Sequence, residues 1–223
     1  MKYQHIIDAV DKTIKELCDE FQSHPTLFYT ENDIVCYSYS LLKNNIPTPP
    51  YHDKDGGEHL LIHGEYPTPF RCDMGGSKFE IKGDNETTPG GGRYQRGHYD
   101  IVVLNPDFIH QHTYNEIKGQ DYELYKTHVI STPWKDTVIL YGMEFMYSRD
   151  ALEYSRGQNR EKGIDQFISK VIQDADKLVA SKNIEGFMGN VKMLTFVKGS
   201  PKEICYLLKE KLSSRNEVIL CFG

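Results

Sequence analysis

The chain contains no apolar run approaching the ~20 residues a membrane-spanning helix needs, so no such helix is expected. Its opening stretch, MKYQHIIDAVDKTIKELCDE, alternates charged and apolar residues too finely for a secretory leader. Cysteine is scarce and scattered: Cys18, Cys36, Cys72, Cys205 and Cys221 are odd in number and form no C-x-x-C pair. That pattern argues against a zinc site and predicts reduced thiols in a cytoplasmic protein. An excess of basic charge is also lacking, the formal net charge being -6. A phosphate-binding surface would therefore have to be local, and an acidic site would need cations to work. The glycine-rich GGGRYQRG departs from G-x-x-x-x-G-K-[ST] and precedes a strand instead of joining one to a helix. Nucleotide phosphates would find no helix N-terminus there. No internal repeat or linker interrupts the 223 residues. They read as one domain, 1–223, long enough to bury a core.

Residues 3–22 carry Ile6, Ile7, Val10, Ile14, Leu17 and Phe21 at helical spacing, which predicts an amphipathic helix. A second helix is expected over 30–43, with Thr30 as N-cap and Asp33 closing a capping box in place of the usual Glu or Gln. NNIPTPP then breaks the chain. EHLLIHGEY (58–66) reads as a strand, and 71–97, including GDNETTPGGG, as a polar loop. HYDIVVL (98–104) is a second strand, stopped by Asn105-Pro106-Asp107. An insertion at about 105–137 precedes the third strand, VILYGMEFM (138–146). A helix over 163–181, a strand over 190–197, a helix over 201–212 and a strand over 217–222 complete the chain. This order predicts an α/β domain, a mixed sheet with helices on its faces.

Two carboxylates interrupt apolar strands: Asp100 in HYDIVVL and Glu144 in VILYGMEFM. An ionised group in such a run is costly unless it is paired or holds a metal. If the strands are neighbours, the two acids meet at one end of the sheet, and hard oxygen ligands with open positions suit Mg²⁺ or Mn²⁺. Glu65, closing LLIHGEY, is a third candidate ligand, and Glu31, in the first turn of the second helix, a fourth acid. The competing reading pairs Asp100 with Arg93 or Arg96 and Glu144 with Arg149, and leaves Glu31 to favour the helix dipole.

RGHYDIVVLNP and GMEFM, with a glutamate on the helix TENDIVCYSYSLL, resemble the PD-(D/E)XK nuclease superfamily. In that family an aspartate ends the second core strand and a Glu-x-Lys lies on the third. The resemblance implies a restriction-endonuclease-like core with N-terminal helices. It also implies a metal-dependent nuclease acting on DNA or RNA, with Asp100, Glu144 and Glu31 as catalytic residues and Asp100, Glu144 and Glu65 around Mg²⁺ or Mn²⁺. A homodimer is common among proteins with such a core.

The family lysine is missing, because Met146 stands in its place. A methionine neither donates a proton nor orients water by charge. A displaced cation (Arg149, Lys170 or Lys177) would have to serve, or two metal ions would act without one. Otherwise the chain is an inactive nuclease-like module that binds nucleic acid or a protein. A literal Glu-x-Lys also occurs at Asn115-Glu116-Ile117-Lys118, but its polar flanks favour Glu144 as the strand residue. Arg93, Arg96, Arg149 and Lys170 are the candidate nucleic-acid contacts.

Overall fold

The computed structural model describes every residue except 1, 47–49, 73–78, 81–94, 119–136, 150–159, 185 and 200–201; for 69–72, 79–80, 95–96 and 160–162 it describes the backbone only. The chain is mixed α/β. Two helices, α1 (Gln4–Ser23) and α2 (Glu31–Asn45), precede a small hairpin of β1 (Tyr51–His52) and β2 (Glu58–His59). There follow β3 (Ile62–Cys72), β4 (Phe79–Glu80), β5 (Gln95–Leu104), and the short helices α3 (Pro106–Gln111) and α4 (Tyr114–Ile117). The remainder is β6 (Ile139–Ser148), α5 (Arg160–Lys182), β7 (Met188–Val197), α6 (Lys202–Leu212) and β8 (Val218–Phe222). The main sheet runs β4-β3-β5-β6-β7-β8. It is mixed, because β3 pairs antiparallel with β4 and β5 whereas β7 and β8 are parallel. No helix among the described residues is long and apolar enough to cross a membrane.

Two compact units divide the chain: Met1–Pro47 with Met143–Ala175 and Lys192–Gly223, and Thr48–Gly142 with Asp176–Val191. The first is built on the apolar stripe of α1, whose Ile6, Ile7, Val10, Ile14, Leu17 and Phe21 are all buried as their spacing predicts. Phe21 is the hub. Its ring meets Phe196 and Tyr147 edge-on at 5.0 and 6.2 Å, and Phe28 at 5.8 Å. The start of α2 follows the expected chemistry: Thr30 accepts from the Asp33 amide, and the Asp33 carboxylate accepts from the Thr30 amide at 2.9 Å. Those bonds, together with one from the Tyr29 amide, hold the Asp33 carboxyl below the usual range.

The cysteine expectation is corrected here. Cys18 on α1 and Cys221 on β8 form a disulfide across 203 residues, with Cα atoms 5.6 Å apart. Spacing along the chain carries no sign of this bond, because only the packing of α1 on β8 brings the two thiols together.

In the second unit, β3 and β5 form the longest described ladder, with Ile62↔Val103, Gly64↔Ile101, Tyr66↔Tyr99 and Pro67↔His98 in register. Two expectations change. The strand expected over 58–66 is cut after His59, because the Asp53–Gly57 turn folds β2 back on β1. The loop expected over 71–97 is strand at both its ends, because Arg71 and Cys72 pair with Arg96 and Gln95, while 73–78 and 81–94 lie outside the described residues. The register shifts between Pro67 and Arg71. A bulge is the usual accommodation for prolines, which cannot donate to a ladder. On the other side of the ladder, the Tyr99 hydroxyl donates to Ser181 of α5, whose own hydroxyl donates to the Lys177 carbonyl. The insertion opens on α3, capped by Asn105, and α4, capped by Thr113.

Because the Cys18–Cys221 bond closes a loop of about two hundred residues, its loss is expected to destabilise the fold by about 2–5 kcal/mol. Urea unfolding of the oxidised protein, the protein in dithiothreitol, and Cys18→Ser tests this. The variant and the reduced protein should share one lowered midpoint, and the reductant should not shift the variant further. An unchanged midpoint on reduction would show that the bond contributes nothing.

Candidate active site

A cavity of about 400 Å³ lies wholly within the second unit, between the open stretch of β3 and helix α4. Its wall carries the polar side chains His59, His63, Glu65, His98, Tyr114 and Lys118. Each is held there by a local cause.

The β3–β5 register places Glu65 opposite Asp100, between the pairs Gly64↔Ile101 and Tyr66↔Tyr99. Glu65 has φ 51°, the only positive φ at a non-glycine among the described residues. A side chain in that region costs about 1–2 kcal/mol relative to the right-handed conformation. Such strain persists only where the surroundings impose it, and it clusters at functional sites. Gly64 beside it runs close to β5, since a Cβ there would stand 3.5 Å from the Asp100 carbonyl. Glu65 is exposed and Asp100 half-buried.

His59 comes from the hairpin. Its Nε2–H donates to Asp53 Oδ2 at 2.8 Å, and both side chains are buried. The other Asp53 oxygen accepts from the amides of Gly57 and Asp55 at 2.8 and 2.9 Å. The His59 bond, backed by those amides, holds the Asp53 carboxyl below its ordinary range in spite of burial. With Nε2 committed to the carboxylate, the neutral ring of His59 carries its lone pair on Nδ1. His63 shows the same logic. Its Nε2–H donates to the Leu60 carbonyl at 2.8 Å, leaving Nδ1 as the acceptor. Burial pushes the His63 ring below the usual imidazole value, outweighing the carbonyl, which acts the other way; the nearby His59 adds to the fall.

Lys118 lies 5.1 Å from the centre of the Tyr114 ring, four residues away on the same short helix. Glu116, from the literal Glu-x-Lys, is turned away to close the α4 capping box, where its carboxylate accepts from the Thr113 amide at 2.8 Å. That tripeptide closes α4 and is no core strand, in keeping with its polar flanks; its Ile117 and Lys118 line the cavity.

The candidates from the sequence are therefore distributed between the units. Asp100 and Glu65 stand across the ladder from one another in the second, with His98 two pairs further along. Glu144 and Glu31 belong to the first. Glu144 is buried at 4% exposure, on the strand face it shares with Met146 and Ser148 and opposite to that of Phe145 and Tyr147. Glu31 accepts from the Tyr147 amide at 3.0 Å. Among the displaced cations, Lys177 donates to the His98 carbonyl at 3.0 Å, while Arg149 and Lys170 are exposed in the first unit. Arg93 lies outside the described residues, and Arg96 is described by its backbone alone, paired with Arg71. Sequence reasoning missed Asp53 and His59. The signal was YHDKDGGEH, a turn between two two-residue strands that returns a histidine to an aspartate six positions before it.

No family model matches this chain, and no match to it was found among curated proteins or solved structures. Among the described residues, no group of three or more His, Cys, Asp or Glu side chains is arranged to hold a metal ion.

The depressed His63 ring makes stability depend on pH. Below about pH 6.5 the unfolded chain binds a proton at this ring that the folded chain resists, so stability falls as the pH drops. Between about pH 7 and about pH 5.5 the urea midpoint is expected to fall less in His63→Gln than in the parent. Equal falls in both proteins would show that the ring is not depressed.

Proposed function

We propose that the chain is a divalent-cation-dependent phosphodiesterase acting on nucleic acid, with the cavity of the second unit as its active site. One observation carries the reading: a strained Glu65, which stands across the β3–β5 ladder from Asp100, lines a cavity that also presents His63 and Lys118. Asp100 and Glu65 would hold Mg²⁺ or Mn²⁺. Bound there, the ion polarises a phosphoryl oxygen and makes water a better nucleophile. The chain's own groups do the rest. Lys118 neutralises the phosphate and supplies the cation that Met146 cannot. His63 Nδ1 takes the proton from the attacking water as its oxygen bonds to phosphorus and the ester oxygen departs. The leaving oxygen takes its proton from solvent, because the one N–H of the neutral His59 ring is held by the Asp53 carboxylate. The resemblance to PD-(D/E)XK nucleases supports the same reaction class through the motif containing Asp100.

The second reading, a module that binds nucleic acid without cutting it, is favoured by the half-buried Met146 on β6. One experiment separates the two: purified protein with Mg²⁺ or Mn²⁺ on single- and double-stranded DNA and RNA. Cleavage is expected, reduced about 10²–10³-fold in Lys118→Ala and abolished in Asp100→Asn. Activity that persists in Asp100→Asn would overturn the assignment, and binding without cleavage under every condition would support the second reading.

Metal binding is tested separately by Mn²⁺ titration calorimetry. Glu65→Gln and Asp100→Asn should each weaken binding, whereas Glu116→Gln should leave it unchanged. Loss of binding in the Glu116 variant would move the site to α4.

A further inference from the structure

Tyr114 is 59% exposed although it lines the cavity, an unusual position for a large aromatic side chain. It is the first residue of α4, and both ends of that turn hold its backbone in place. The Thr113–Glu116 capping box fixes the start, and buried Ile117 anchors the end, its carbonyl accepting from the Tyr66 hydroxyl. The ring is thus presented by a fixed piece of backbone. His59 stands 5.8 Å from it at a 34° tilt, and Lys118 is 5.1 Å from its centre. Flexible Lys118 can swing from the ring to a phosphate, while the Tyr114 backbone is held at the rim.

Resting on the phosphodiesterase reading, we propose that the substrate is single-stranded nucleic acid, with one base stacked on Tyr114 while Lys118 takes the adjoining phosphate. A ring and a cation four residues apart on one helix offer the two contacts single-strand recognition combines, a π-face for the base and a charge for the backbone. The cavity, at about 400 Å³, is the size of a small-ligand site. It admits one nucleotide unit, whereas a duplex would first have to extrude a base from its stack. Stacking does not depend on base identity, so little sequence preference is expected at this position.

The test is fluorescence polarisation of a labelled ten-nucleotide oligothymidylate and of the same strand in a duplex, in EDTA so that nothing is cut. The single strand is expected to bind more tightly than the duplex. Tyr114→Ala should weaken single-strand binding about 5- to 150-fold. Tyr114→Phe should restore it, since the ring does the binding and not the hydroxyl. The salt dependence should survive in Tyr114→Ala and lose about one unit of slope in Lys118→Ala. Tyr114 is exposed, so these variants should fold, and circular dichroism checks that. Duplex binding equal to single-strand binding, or full affinity in Tyr114→Ala, overturns the proposal. This pattern of binding with no cleavage in any metal supports the proposal while removing hydrolysis. Cleavage of duplex that is indifferent to Tyr114 leaves hydrolysis standing and overturns the proposal.

Discussion

The antiparallel pairing of β3 with β5 is the constraint on which the second unit depends. Because side chains alternate along a strand, slipping the register by one residue would send Glu65 and Asp100 to opposite faces. The register is held from the buried side: Tyr66 and Tyr99 are paired across the ladder, and the hydroxyls of both are tied, to the Ile117 carbonyl and to Ser181. Those buried bonds would be lost in any other alignment, and a buried polar group without a partner is expensive. The anchoring of these two tyrosines thus fixes the register that sets Glu65 across from Asp100.

The same economy of causes shapes the cavity. Asp53 closes its own turn with one oxygen and orients His59 with the other, so the bonds that make the hairpin also choose the ring's tautomer. The Leu60 carbonyl, exposed where the chain steps from β2 to β3, does this for His63. In each neutral ring the remaining nitrogen, Nδ1, is then the acceptor. Glu65 completes the set at the cost of an unfavourable φ, which the neighbouring ladder pairs enforce.

Much of the fold was legible in the residues. The stripe of α1, the Thr30–Asp33 box, Asp100 within β5 and Glu144 within β6 all follow from local periodicity and capping chemistry, which need only a few neighbouring residues. Element boundaries were harder where pairing partners lie far away. β3 extends through two prolines to Cys72 because β5 and β4 pair with its end, and nothing in PTPFRC announces this. The site was legible only in part. Glu65 stood out as an acid closing a strand, and Lys118 as part of a literal Glu-x-Lys that closes α4. Asp53 and His59 looked like ordinary turn and strand-end residues.

By itself the sequence determined the element types, the apolar faces and the presence of acids within strands, because these are set by interactions a few residues apart. Only the tertiary structure decided that Asp100 stands opposite Glu65, that Lys118 lines the cavity with Glu65, and that Cys18 bonds to Cys221. Each of these joins segments whose encounter depends on strand order and helix packing, and no local pattern encodes a distance through space.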